Sequence, residues 1–286
     1  MQHKKMALFD LITHVLRVNP MLHYFQGYHD IAQVLLLVLG SDAAFAAVSR
    51  LSLLRIRDYM LSSLAPAEKH LRLIPAILQC AEPDLAAHLG RTPPYFALSA
   101  VLTLYAHDIQ EYTDIARLYD FILAHESIMS VYLFSALIVS RKEELMEIPR
   151  EDHDMLLFAL SKLPNPLNLE GLIDRCMAIY KSFPPDKLPG RAWRNVSSYS
   201  VLKTPKSQLR TQTLVEARGL FRKQAQQLAR EETTARVLKQ LNRNRRPIFS
   251  FGATLLVGVL SYYLRRGGYD KTIWTLLWRA AETFRK

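Results

Sequence analysis

Apolar residues recur at helical spacing through most of the first two thirds of the chain, and this feature leaves little room for a sheet. Ala7-Leu8, Leu11-Ile12 and Val15-Leu16 step by three to four positions and stop before Asn19-Pro20. Residues 31–39 form an apolar run closed by Gly40, too short to cross a bilayer and broad enough for a fully buried helix. The same period predicts helices over 43–61, 70–78, 95–105, 115–125, 128–141, 152–163 and 169–183, with most prolines in the gaps. There is no alternating strand pattern, no G-x-G-x-x-G, no phosphate-binding loop and no repeat of fixed period. The predicted fold class is all-α. A weaker helical pattern covers 214–241, after a stretch at 190–212 expected to be flexible.

Charge is distributed unevenly. Of 286 residues, 37 are Lys or Arg and 26 are Asp or Glu, a net charge of +11. Residues 1–202 hold 19 basic and 21 acidic side chains, whereas residues 203–286 hold 18 basic and 5 acidic. A near-neutral body with a basic tail reads as a domain with a surface-binding segment, and it argues against nucleic acid as the partner. The two cysteines, Cys80 and Cys176, exclude a disulfide scaffold, and no ligand cluster suggests a metal.

The tail has its own logic. Residues 247–264 contain no charge and are bracketed by Arg243, Arg245 and Arg246 before and Arg265 and Arg266 after. As a helix the run covers about 27 Å, close to the roughly 30 Å of a hydrocarbon core. Tyr262 and Tyr263 stand at its end, where amphipathic rings favour the interface. The reading is a C-terminal transmembrane helix rather than a core helix. Its short length leans toward the thinner endoplasmic reticulum membrane, with the body facing the cytosol. Arginines on both flanks leave the positive-inside rule undecided. Residues 269–286 carry Ile273, Leu276, Leu277, Ala280 and Phe284 at helical spacing, an interfacial amphipathic helix or a packing helix.

Catalytic patterns are sparse. The nine histidines are scattered without H-E-x-x-H spacing, and no G-x-S-x-G supplies a nucleophile. His29-Asp30 and His107-Asp108 are neighbours, a spacing that does not bring side chains face to face on a helix. Arg117 and Asp120, three apart on one helix, are expected to form a structural ion pair, and Arg55-Ile56-Arg57-Asp58 to form a solvated helix face.

One stretch is specific. Asn19-Pro20-Met21-Leu22-His23-Tyr24-Phe25-Gln26-Gly27-Tyr28-His29-Asp30-Ile31 resembles the Y-x-Q-G region of the TBC domain, the helical GTPase-activating domain for Rab GTPases. Its G-Y-H-D extension, with Pro94-Tyr95-Phe96-Ala97-Leu98-Ser99, Arg117-Leu118-Tyr119-Asp120-Phe121 and Ser182-Phe183-Pro184-Pro185 in order, is similar to the Gyp8-like subgroup anchored to the endoplasmic reticulum. Arg117-x-Tyr119-Asp120 stands where the family usually has R-x-W-D.

The resemblance implies a TBC-type domain over 1–188, a basic linker over 189–246, a transmembrane helix over 247–264 and the amphipathic helix over 269–286. It implies a Rab-family small GTPase as partner. GTP and Mg belong to that GTPase, and the chain has no cofactor or metal of its own. Gln26 is implied as the catalytic glutamine finger, with Tyr24, Gly27, Tyr28 and Asp30 as candidates for the GTPase interface. The family's I-x-x-D-x-x-R arginine motif is missing from the 25 residues before Gln26, and Arg17 does not match it. The TBC domain is therefore expected to be N-terminally incomplete, and its activity weak. The competing expectation is a tail-anchored module that binds GTP-bound small GTPases without accelerating hydrolysis.

Overall fold

A computed structural model of the chain describes residues 2–243 apart from 91, 165 and 209. Among the described residues all regular structure is helical, as the periodicity predicts. In chain order the helices are α1 (Gln2–Val18), α2 (Tyr28–Leu54), α3 (Ala65–Leu71), α4 (Leu73–Ala81), α5 (Pro83–Leu89), α6 (Leu98–Leu102) and α7 (Tyr112–Ala124). They continue as α8 (Met129–Ser140), α9 (Lys142–Glu147), α10 (His153–Ser161), α11 (Leu169–Ser182), α12 (Ala192–Asn195) and α13 (Leu214–Arg243). The residues group into one compact unit up to Gln226 and a second from Gln227. The expected span at 247–264 and the helix at 269–286 lie outside the described residues.

The core of the first unit is built around α8. Every residue from Met129 to Val139 is buried, the signature of a helix that is apolar all round and has neighbours on each side. Helices α4, α6 and α11 pack on it. Two tyrosines reach through this packing and end on carbonyls. Tyr105 Oη donates to Ser130 O at 2.7 Å, and Tyr132 Oη donates to Phe183 O at 2.6 Å. A buried phenol needs such a partner, so these bonds fix the depth of the rings as well as their position.

Helix α2 is long and apolar enough to cross a membrane by length and composition alone. It is bent at Gly40, whose φ of 73° and ψ of 171° interrupt the helix, and its two halves bury Ile31, Val34 and Leu35 before the bend and Val48, Leu51 and Leu53 after it. It packs into this unit with α1 and α7 against it, but Leu37, Val38 and Leu39 before the bend are exposed, so the run expected to be fully buried is buried on part of its surface only.

Three further sequence expectations change. The predicted helix at 70–78 is two helices, α3 and α4, and α4 accommodates Pro75 because it lies in the first turn, where no intrahelical N–H is lost. The stretch at 190–212 is not loose. Val196, Ser200, Val201 and Leu202 are buried, so the compact unit runs past the boundary expected at 188. Residues 55–58 are not a solvated face. Arg57 and Asp58 are wholly buried in a 3-10 turn, Arg57–Met60.

That turn is a polar knot inside the core. Arg57 donates from Nη1 to Leu53 O at 3.1 Å and from Nη2 to Tyr199 O at 2.6 Å. Asp58 Oδ2 lies 2.9 Å from His70 Nε2 and accepts from Ser200 Oγ, while Oδ1 accepts from the Val201 amide at 3.1 Å. Burial alone would raise the Asp58 carboxyl; the His70 contact, the Arg57 charge and the Ser200 bond outweigh it and hold the group below the usual carboxylate range. Three of the partners of this turn, Tyr199, Ser200 and Val201, lie more than 140 residues downstream, which is why a local reading of R-I-R-D as solvated fails.

Helix α13 starts with a reciprocal cap. The Thr213 amide donates to Glu216 Oε2 at 2.8 Å and the Glu216 amide donates to Thr213 Oγ1 at 3.2 Å. Thr213-x-x-Glu216 is a capping box, and it fixes the start of this helix. In the second unit the described residues continue α13 as a polar helix stitched by local bonds, among them Gln227 Nε2 to Glu231 Oε1 at 2.8 Å.

Candidate functional site

The segment that carries Gln26 is fixed residue by residue. Asn19, almost wholly buried, closes α1 by donating from Nδ2 to Val15 O at 3.0 Å, and its own carbonyl accepts the Leu22 amide at 3.0 Å. The His23 amide then donates to Met60 O at 2.9 Å. The Phe25 ring is buried between Tyr28 and Tyr59, with centroid separations of 5.7 and 6.2 Å.

The next four residues make a tight turn. The Tyr28 amide donates to Phe25 O at 3.1 Å, and Gly27 adopts φ 98° and ψ −10°, the geometry of the third position of a type II turn. That places Gln26 at the second position, exposed, with α2 starting two residues later. Gly27 is required here twice over. Its φ is in the left-handed region, and a Cβ at this position would come 2.5 Å from Thr103 Cγ2. The backbone behind Gln26 therefore rests directly on the loop that follows α6.

That loop is itself strained. Leu104 and Tyr105 are non-glycine residues with φ of 50° and 66°. The buried Tyr105 phenol anchors it to α8, and the turn it makes carries His107 to Asp30, with Nδ1 3.0 Å from Oδ2. Asp30 also lies 3.3 Å from His29 Nε2, so neighbouring residues meet here at a helix start despite their spacing. Tyr24 Oη completes the cluster at 2.9 Å from His29 Nδ1. Partial burial, and then the Asp30 charge, push the Tyr24 phenol up. Beside it, burial raises the Asp108 carboxyl against the pull of His107.

The site residues expected from sequence fall into three groups. Gln26 and Tyr24 are exposed on the same turn. Asp30 is about one-fifth exposed and engaged by His29 and His107. Gly27 and Tyr28 are buried and cannot offer side-chain contact to a partner. The Tyr28 phenol points inward to Ser52 Oγ at 2.7 Å and burial pushes its pKa up to about 12. They shape the turn that carries Gln26. The amide of Gln26 makes no hydrogen bond among the described residues, so both its carbonyl and its NH2 group face outward free to engage.

The Arg117–Asp120 pair is corrected. Arg117 instead grips Glu170 at the start of α11, Nε to Oε1 at 2.7 Å and Nη2 to Oε2 at 2.9 Å, a two-pronged match of guanidinium to carboxylate. Asp120 belongs to the stripe Ala116, Tyr119, Asp120 and Leu123, which lines a groove of about 540 Å³ against α2. The two residues share a helix but serve different neighbours.

Residues 2–146 match the family model of the Rab-GTPase-TBC domain. This chain belongs to the Rab-GTPase-TBC family. Among its TBC relatives, TBC1 domain family member 20 of Bos taurus is 34% identical over 192 residues, 65% of this chain and 46% of that protein. The GTPase-activating protein gyp10 of Schizosaccharomyces pombe is 31% identical over 229 residues, covering 79% of this chain and 61% of that protein. The GTPase-activating protein GYP8 of Saccharomyces cerevisiae is 28% identical over 128 residues, 36% of this chain and 25% of that protein. This agrees with the subgroup that the G-Y-H-D extension indicated. The chain spans less than half the length of TBC1 domain family member 20. Within the TBC match, the turn at Gln26, its floor at Thr103 and the His107–Asp30 contact all lie inside residues 2–146; the Tyr199–Val201 strap and Arg218 lie beyond it.

Proposed function

We propose that this TBC chain acts on a GTP-bound Rab GTPase of the early secretory pathway and presents Gln26 to the hydrolytic water. Hydrolysis of GTP needs a water held in line with the γ-phosphate and charge stabilisation on the phosphate oxygens. A glutamine amide suits the first task, because its carbonyl accepts from the water while its NH2 donates to an oxygen. The observation that carries the reading is a side chain exposed and unbonded on a backbone that is pinned on every side: the Phe25 ring, the Gly27 φ and the Thr103 contact. A group so held reaches a partner's active centre with little ordering left to do. Tyr24 and Asp30 flank it as interface residues. GTP and Mg belong to the GTPase in this scheme. The uncharged run at 247–264 supports attachment to the endoplasmic reticulum membrane with the domain facing the cytosol.

A second reading, engagement of the GTPase without acceleration, is favoured by one sequence fact. The 286 residues contain no I-x-x-D-x-x-R, and an arginine supplied in trans is worth about 10³–10⁵ in rate. Single-turnover GTP hydrolysis by a panel of Rab GTPases, with the chain and with Gln26→Ala, separates the two. Acceleration lost in Gln26→Ala establishes the glutamine finger. Binding to the GTP-loaded form at the intrinsic hydrolysis rate establishes the module. Acceleration that survives Gln26→Ala refutes the role given to this residue.

A further inference from the structure

The segment before Gln26 is held from behind by residues that lie far along the chain, outside the region matched by the family model. Arg218, in the first turns of α13, donates from Nη2 and Nε to Asn19 Oδ1 at 3.0 and 3.3 Å. Asn19 is 1% exposed and is the residue that ends α1 and starts the path to Gln26. The same path is pinned midway by Met60 and Tyr59, which belong to the 3-10 turn Arg57–Met60. That turn is fastened in its turn to Tyr199, Ser200 and Val201 through Arg57 and Asp58.

We infer that residues 199–218 brace the Gln26 turn, with Arg218 a positioning residue that acts through Asn19. Two independent ties run from this segment toward the same short stretch of chain, one to the Asn19 side chain at its start and one, through the Arg57–Met60 turn, to His23 and Phe25 at its middle. Both are charge-assisted; the bonds to Asp58 are buried and those of Arg218 to Asn19 and of Arg57 to Tyr199 partly so, conditions in which the loss of a hydrogen bond is felt. The ties of this segment run to Asn19, Arg57 and Asp58 and not to Gln26, so its contribution is to order and not to contact. The functional meaning of the brace rests on the reading of Gln26 given above; the brace itself does not.

The test is hydrogen exchange on the full chain in detergent, reading the amides of Leu22, Tyr28 and Asp30, whose acceptors lie along the path, and of His23, whose acceptor is Met60. Arg218→Ala is expected to speed their exchange about tenfold while the amides of α8 stay unchanged. Arg218→Lys, which keeps the charge and loses the fork, restores part of the protection. In an Asn19→Ala background, Arg218→Ala adds nothing. Unchanged exchange at the four amides, or an equal rise in α8, overturns the brace. In GTP hydrolysis, Arg218→Ala is expected to lower the maximal rate about tenfold at an unchanged half-saturating concentration, and to have no effect once Gln26 is alanine. If exchange responds as expected but Gln26→Ala leaves hydrolysis unaltered, the brace stands and the glutamine reading falls.

Discussion

Gln26 and Gly27 sit side by side and make opposite demands on the chain. The Gln26 side chain is exposed and makes no hydrogen bond among the described residues, so Gln26→Ala is expected to leave unfolding free energy unchanged within about 0.5 kcal/mol while removing any acceleration of GTP hydrolysis. Gly27→Ala must adopt a left-handed φ and displace Thr103, a combination expected to cost about 2–3 kcal/mol in chemical denaturation. It should also weaken hydrolysis by moving Gln26, even though the reacting group is intact. A Gly27→Ala chain with wild-type stability would show that the contact with Thr103 relaxes without effort. Much of this was legible beforehand, because a Gln-Gly pair before an apolar helix is local turn chemistry. The His107–Asp30 contact was not legible: it joins residues 77 positions apart, through a loop whose positive φ values no local pattern announces.

Among the elements, the 3-10 turn Arg57–Met60 is sensitive to pH although all four of its residues are buried. Its Asp58 carboxyl is held below the usual range in the folded chain, so the stability it supplies is full above the unfolded value of about 3.9 and is lost as pH falls through the folded value. Acid titration of unfolding free energy should therefore show a loss below about pH 4 that is shallower in Asp58→Asn. An identical slope in the variant would mean that other carboxylates account for acid sensitivity. Helix α8 falls within the helix expected at 128–141 because its apolar residues recur at helical spacing, with Ser130 and Ser135 turned to carbonyls of the preceding turn. The Arg57 turn was misread because charge normally means solvent, and only a partner strand of chain from far downstream turns R-I-R-D inward. Arg117 teaches the same lesson in milder form: the i, i+3 rule named a neighbour on its own helix, and a better-shaped carboxylate on α11 took its place.

For the molecule as a whole, helical period and the Y-x-Q-G region were enough for the fold class and the family, since both are written in short stretches of sequence. The extent of the compact body was not, because the stretch after residue 188 is polar and its few apolar anchors, Val196, Val201 and Leu202, have no period. A chain ended at residue 188 would leave Arg57 and Asp58 buried without Tyr199, Ser200 and Val201, a loss of about 3–5 kcal/mol that should abolish cooperative thermal unfolding. A chain ended at Gln226 keeps these contacts and should retain a sharp transition by calorimetry; a sharp transition in both would restore the shorter boundary. The tie between Asn19 and Arg218 has a further consequence, in time rather than in energy. The two residues are 199 positions apart, and a ribosome adding about 5–20 residues per second needs on the order of 10–40 s to pass from one to the other. Throughout that interval α1 and the Gln26 segment are already made but their final fastening is not. The Gln26 turn is thus completed only after Arg218 has been made.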